Sequence, residues 1–264
     1  MNSMLRLYKR GPIYLNDKFK KKYKINTYDV DSNLKCKFSS LVNYLWDVVI
    51  SQSDSLGETD QGFVNNNCVW VLLKYDIHIY EYPNFRETIS VDTEVLGGKK
   101  FYGYRGYTIR NSEDKIIGEA FSIAILIDLD KRRPAKISPD QYEIYGIRGE
   151  VKNPIPLDDI PDIEKIDYSK DYPIRYSDID SNNHVNNVKY MEMSIDTLPR
   201  SILKEYTLIN IKVLFKKETS DGDTINVSTE VIKNETDELI TLHTIIGNEK
   251  KLLTKLQLKW KKNS

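Results

Sequence analysis

Two short blocks occur twice in this chain, in the same order. Asp29-Val-Asp-Ser-Asn33 returns as Asp178-Ile-Asp-Ser-Asn182, at an offset of 149 residues. Ile89-Ser-Val-Asp-Thr-Glu-Val95 returns as Ile225-Asn-Val-Ser-Thr-Glu-Val231, at an offset of 136. A period this long means two homologous domains, not a solenoid of short repeats. The length of 264 residues fits two modest domains. Between the copies, residues 148–165 carry Pro154, Pro156, Pro161 and five acidic side chains. Prolines fix φ and remove donors, so this stretch reads as an extended linker. The expected organisation is a first repeat over 1–147, a linker over 148–165 and a second repeat over 166–264.

Each copy has the same coarse order: an extended segment, the Asp-x-Asp-Ser-Asn block, one helix, then several strands. Leu41, Tyr44, Leu45, Val48, Val49 and Gln52 follow helical spacing, with Ser39 or Ser40 as the cap. Val188, Met191, Ile195 and Leu198 do the same, ending before Pro199. Tyr75, Ile77 and Ile79 alternate as in a half-buried strand, and so do Ile211, Val213 and Phe215. Gly97-Gly98, Asn111–Asp114, Asp221-Gly222-Asp223 and Gly247-Asn248 read as turns. One helix followed by antiparallel strands, present twice, is an α+β arrangement in which a curled sheet covers the apolar face of the helix.

Composition removes several classes. Lys plus Arg and Asp plus Glu each number 39, so there is no basic excess of the kind a nucleic-acid binder carries. The longest apolar stretch, near 121–129, is far short of a membrane span. The first residues lack the pattern of a secretory signal. Two cysteines, Cys36 and Cys68, cannot build a disulfide framework or a four-thiolate metal site, and a reducing cytoplasm is the expected location.

Three histidines are candidates for chemistry. His78 reads as a half-exposed strand residue, and His243 sits in the apolar run 239–246 without polar neighbours of note. His184 lies in a polar cluster, Arg175 to Tyr190, just before a helix. The cluster is either an exposed loop or a site, because buried polar groups must be paired. Calcium does not fit: Asn183 stands where an EF-hand loop needs Gly, and Lys189 where it needs Glu. Zinc lacks a second histidine or a thiolate pair. The first copy keeps Asp29, Asp31 and Asn33 but has Lys35 where the second has His184. That is the pattern expected when one of two duplicated sites keeps the chemistry.

Arg175-x-Ser-Asp-Ile-Asp-x-Asn-x-His-Val-Asn-Asn-Val-Lys-Tyr190 resembles the signature of the acyl-acyl carrier protein thioesterases of plants and bacteria. Trp70 and Arg132-Arg133-Pro134 match in plan. The resemblance implies a tandem double hotdog, each repeat a helix wrapped by an antiparallel sheet. It places Asp180, Asn182, His184 and Glu218 on catalytic positions. Plant members commonly carry Cys after that Glu, and Thr219 stands there instead, which favours activated water over a thiol nucleophile. No cofactor is implied.

The residues suit that chemistry. An imidazole titrates near working pH and can activate water, with Glu218 or Asp180 orienting it or acting as base. Asn182 offers amide donors and an acceptor. N–H groups at the start of the helix after His184 can receive an oxyanion. Asp180, Asn182 and His184 alternate, so an extended segment would project all three to one side. Leu41, Tyr44, Leu45 and Trp70 are candidate lining for an apolar acyl tunnel. The implied partner is acidic acyl carrier protein, met by Lys99-Lys100, Lys131-Arg132-Arg133 or Lys216-Lys217. Neither nucleic acid nor membrane is expected as a partner, and pairing into a homodimer is left open. The rival readings are a hotdog thioesterase acting on acyl-CoA, a catalytically silent acyl-binding protein, and a hydratase or dehydratase on the same scaffold.

Overall fold

The first helix, α1 (Phe38–Ser55), buries Phe38, Leu41, Val42, Leu45, Val48, Val49 and Gln52. These residues recur every three or four positions, so one stripe of the helix faces inward. Burying such side chains contributes roughly 1.5–3 kcal/mol each. The helix starts two or three residues earlier than its serines suggest: Lys37 is the N-cap, without a side-chain cap bond, and Ser39 and Ser40 lie in the first turn. The computed structural model describes residues 18–57, 64–65, 67–146, 159–181, 183–233 and 237–263. It divides into two units, 1–157 and 158–264.

In the first unit, α1 packs on an antiparallel sheet. Its strands are β1 (Phe19–Lys24), β2 (Val64–Asn65), β3 (Cys68–Ile79), β4 (Thr88–Lys99), β5 (Tyr102–Arg110), β6 (Ile116–Asp128) and β7 (Arg133–Pro134). The order is β1-β4-β5-β6-β3, with β2 on β3 and β7 on β6. Strand β1 reads Phe-Lys-Lys-Lys-Tyr-Lys, and its exposed lysines are Lys20, Lys22 and Lys24. Charge along an outer strand of this kind resists edge-to-edge association. A short helix, α2 (Pro139–Ile144), follows the strands. Its N-cap Ser138 accepts from Gln141 N at 3.2 Å.

The second unit repeats the plan. It contains β8 (Tyr168–Pro173), α3 (Asn187–Thr197), α4 (Arg200–Glu205), β9 (Tyr206–Phe215), β10 (Thr224–Lys233), β11 (Glu238–Ile246) and β12 (Leu252–Lys262). The sheet order is β8-β10-β11-β12-β9, which is the order of β1, β4, β5, β6 and β3 in the first unit. Pro199 separates α3 from α4, as a residue without an N–H should. Tyr75, Ile77 and Ile79, and Ile211, Val213 and Phe215, are all buried as their alternation predicts.

One turn expectation fails. Gly97 and Gly98 are not a turn; they lie inside β4, next to a register shift between Val95 and Gly97. The chain turns two residues later, at Lys100, which has φ 57°. Of the stretch expected as a linker, residues 147–158 lie outside the described residues. Residues 159–165 are packed on the second unit: Ile160 is 4% exposed, Asp162 pairs with Lys255, and Glu164 N donates to Glu230 Oε2 at 2.8 Å.

Candidate functional site

The polar cluster folds as a tight loop between β8 and α3. A single 3₁₀ turn, Tyr176–Asp178, comes first. The Asp178 carboxylate is buried and accepts Arg175 N at 3.0 Å, Arg175 Nε at 3.0 Å and Arg175 Nη2 at 2.8 Å. Those bonds hold its carboxyl below the usual range. Asp180 N donates to His184 O at 2.8 Å and Asn183 N to Asp180 O at 3.1 Å, so the chain reverses within four residues. Asn183 takes the left-handed conformation, φ 61°, that Asn tolerates better than most residues. Ile179 and Val185 bridge across the loop. Asn186 then caps α3, accepting from Val188 N at 2.9 Å.

This geometry corrects the expected extended projection of Asp180, Asn182 and His184. The segment turns back on itself, so alternation does not govern where the side chains go. Asn182 lies outside the described residues. Asp180 Oδ1 is 3.5 Å from His184 N, placing its carboxylate on the loop backbone. Its twin Asp31 does the same more tightly, accepting from Asn33 N at 2.8 Å and Lys35 N at 3.0 Å. The N–H groups of Val188 and Lys189, expected to be open at the helix start, are both bonded to Asn186.

His184 and Glu218 are brought together. Val185 N donates to Thr219 O at 3.1 Å, which ties the loop to the segment following β9. That tie sets His184 Nε2 3.0 Å from Glu218 Oε2, with side chains 40% and 55% exposed. A pair this open is accessible to a substrate and to water. Lys251 Nζ donates to the Glu218 carbonyl at 3.2 Å. The Thr219 hydroxyl is engaged elsewhere: it donates to Asp223 Oδ2, which also accepts from Ser220 N at 3.3 Å. The bond from Thr219 leads the effects that hold the Asp223 carboxyl below its usual range.

The first unit builds the same loop without the pair. Lys37 N donates to Asp29 O at 2.7 Å, as Asn186 N does to Asp178 O at 2.8 Å. Cys36 N donates to Pro83 O at 2.8 Å, as Val185 N does to Thr219 O. These matches place Lys35 opposite His184 and Tyr82 opposite Glu218. The 136-residue offset of the strand blocks likewise maps Glu218 onto Tyr82, a correspondence the motif alone does not reveal.

A cleft enclosing about 750 Å³, its open mouth included, lies within the first unit. Its apolar walls include Trp46, Val49, Trp70, Leu72, Ile137 and Tyr142. Of the four expected lining residues, only Trp70 borders it. Leu41 and Leu45 are 1% and 0% exposed, in the helix–sheet core. Tyr44 stacks on Tyr23, ring centroids 4.4 Å apart. The helix face toward the cleft is instead that of Trp46 and Val49. Gly98 and Gly103, cross-strand partners, border it too. A Cβ on Gly103 would lie 3.0 Å from the Trp70 ring, and one on Gly98 2.8 Å from Ile137 Cδ1. The glycines let these side chains lie flat on the sheet.

The other histidines are structural. His78 Nε2 lies 3.1 Å from Asp76 Oδ1. His243, contrary to its apolar-looking context, has two polar partners: Thr229 Oγ1 on Nδ1 and Thr241 Oγ1 on Nε2, both at 2.8 Å. Burial pushes its pKa down to about 3. Among the basic runs, Lys131 is held by Asp128 at 2.6 Å, whereas Lys216 and Lys217 are exposed beside Glu218.

The model of the acyl-ACP thioesterase N-terminal domain matches residues 16–145, and that of the C-terminal domain matches residues 163–262. The chain belongs to the acyl-ACP thioesterase family. In this acyl-ACP thioesterase family member, the His184–Glu218 pair falls in the C-terminal domain and the cleft in the N-terminal one. A palmitoyl-acyl carrier protein thioesterase of Gossypium hirsutum is 25% identical over 243 residues, covering 85% of this chain and 57% of the relative. An oleoyl-acyl carrier protein thioesterase of Arabidopsis thaliana is 25% identical over 226 residues, covering 79% and 62%. The chain thus spans about three-fifths of the length of these plant relatives. Among solved structures, an oleoyl thioesterase of Lactobacillus plantarum, so described, superposes with a TM-score of 0.88 at 25% identity, covering 95% of this chain and 98% of that one. The 12:0-ACP thioesterase of Umbellularia californica gives 0.82 at 18% identity, covering 93% and 94%. The fold is the double hotdog.

Proposed function

We propose that this chain hydrolyses the thioester of fatty acyl-acyl carrier protein and releases free fatty acid. The observation that carries the reading is the 3.0 Å contact of His184 Nε2 with Glu218 Oε2, in a chain of this family. A carboxylate on Nε2 favours the tautomer with its proton there and leaves the Nδ1 lone pair as base. Water attacking the thioester carbonyl gives up a proton to the imidazole, and a tetrahedral oxyanion forms. Its collapse breaks the C–S bond, and the imidazolium protonates the departing thiolate. Glu218 stabilises the imidazolium between the two steps. Asn182 is the proposed partner of the oxyanion or the water. Asp180 serves by shaping the loop, as Asp31 does in the first unit. Thr219, its hydroxyl bonded to Asp223, is not the nucleophile. The first unit's cleft is the proposed acyl pocket, and the exposed Lys216 and Lys217 are the proposed contacts for the acidic carrier. The proposed setting is the cytoplasm.

The test is acid release from one acyl group presented on acyl carrier protein and on coenzyme A. The reading expects the carrier-protein substrate to be cleaved with the higher kcat/KM. Preference for acyl-CoA would replace it with the CoA thioesterase reading. Acyl binding without acid release would replace it with that of a silent acyl-binding protein.

A further inference from the structure

The cleft is not apolar throughout, and the strand register shows where it changes. In one row across the sheet Leu72 pairs with Ala124, Ala124 with Gly103 and Gly103 with Gly98. All four border the cleft. In the next row Tyr75 pairs with Ser122, Ser122 with Arg105 and Arg105 with Val95. The row after that holds Ile77, Ala120, Tyr107 and Thr93. Beyond it Ile79, Ile109 and Val91 are buried core, at most 2% exposed. A band of polar groups therefore separates the greasy part of the cleft from the solid interior.

The band is organised. Tyr107 Oη lies 3.1 Å from Ser122 Oγ and 3.5 Å from Tyr75 Oη. Arg105 Nη1 donates to Thr93 Oγ1 at 3.1 Å and to Gln52 Oε1. The guanidinium sits 5.7 Å from the Tyr145 ring centroid, and Tyr145 Oη is 3.2 Å from Ser53 Oγ. Every side-chain hydrogen-bond partner of Arg105 among the described residues is neutral and sits on Nη1, and no carboxylate pairs with it there. Arg105 borders the cleft, so its remaining N–H donors can be met there by water or by a polar group of a ligand. A plain hydrocarbon chain filling the cleft would remove that water and return nothing, and stripping a charged donor is costly. A chain that carries an oxygen at the band would replace the water.

We propose that the band formed by Arg105, Tyr75, Tyr107 and Ser122 is a subsite for an oxygen on the acyl chain, so that the preferred substrate is a hydroxylated acyl group. The inference rests on the reading of the cleft as the acyl pocket. It is tested by binding, apart from turnover. Wild-type protein is titrated calorimetrically with non-hydrolysable amide analogues of dodecanoyl-pantetheine, one plain and the others hydroxylated at successive carbons. One hydroxyl position is expected to tighten binding by about tenfold or more, the scale of a hydrogen bond to a charged group. That advantage is expected to shrink in Arg105→Met and in the near-isosteric Tyr107→Phe, while the plain analogue binds them at least as well as wild type. The inference is overturned if the plain chain matches every hydroxylated one. It is also overturned if the advantage survives both substitutions, or if no analogue binds. Acid release from dodecanoyl-acyl carrier protein, measured separately, bears on the proposed activity alone.

Discussion

At the residue scale, the contrast is between two adjacent side chains, one on the residue that makes the backbone tie and one on the residue before it. Glu218 reaches the imidazole of His184, whereas Thr219 turns its hydroxyl to Asp223. Replacing His184 by Ala should lower kcat by about a hundredfold to ten-thousandfold, the range for a lost acid–base group. Thr219→Ala should keep kcat within about tenfold of wild type and cost on the order of 1 kcal/mol in stability, for one lost hydrogen bond. Steady-state acid release and denaturant unfolding of each variant check the pair. A Thr219→Ala protein that folds normally but has lost its turnover would return the hydroxyl to the mechanism. The sequence marks His184 by its twin Lys35, since only one copy keeps a titrating ring. It does not reveal the partners of His243: Thr229 and Thr241 are ordinary strand residues until β10 and β11 pair Thr229 with His243.

At the element scale, the loop before α3 is what delivers the imidazole. Asn186 is its closing residue, capping the helix through Val188 N. Asn186→Ala should cost about 1 kcal/mol, the usual loss for an N-cap, seen as a lower unfolding midpoint with an unchanged slope. Activity should fall with it, because the side-chain cap lost from Val188 N lets the first turn of α3 fray beside the loop that presents His184. The position of α1 was legible because burial imposes the 3.6-residue period on it; in α3 Val188 and Met191 are buried as expected, but Ile195 is half-buried and Leu198 lies just past the helix end. The loop was not legible. Alternating Asp180, Asn182 and His184 look like a strand, yet the backbone bonds of Asp180 with His184 and Asn183 bring Asp180 and His184 back against each other. Local hydrogen bonding by Asp and Asn overrides periodicity here. The lining of the cleft was misread for a related reason. Leu41 and Leu45 mark the most apolar face of α1, and that face is the core; the cleft lies on the neighbouring face, at Trp46 and Val49. Gly97-Gly98 read as a turn, but Gly98, with its cross-strand partner Gly103, serves a flat wall under Trp70, Ile137 and Tyr142. Gly103→Ala should therefore displace Trp70 and be read as a shift in tryptophan fluorescence.

At the scale of the whole molecule, duplication explains the division of labour. Both units keep the sheet order and the Asp-anchored loop, while only the second keeps His and Glu at the facing positions. The repeat was readable from two short blocks because loop and strand positions under the same backbone constraints retain the same residues. Stability should carry the imprint of the buried histidine in the second unit. Its folded pKa, pushed down to about 3, lies below the ordinary value near 6.5. The unfolded chain therefore binds a proton that the folded one refuses. Above about pH 6.5 the residue adds no pH dependence; as pH falls from there toward 3, stability is lost at up to about 1.4 kcal/mol per pH unit. Unfolding free energy followed across that window should show this acid limb, and His243→Gln should flatten it.

The central claim is that His184 and Glu218 act as one unit on the thioester. A double-mutant cycle in kcat for acid release from acyl-acyl carrier protein, using His184→Ala, Glu218→Gln and the combination, tests it most directly. If the two side chains form a working pair, each single change lowers kcat and the double variant is scarcely slower than His184→Ala alone. Losses that multiply across the cycle, or a folded His184→Ala protein with wild-type turnover, would contradict it.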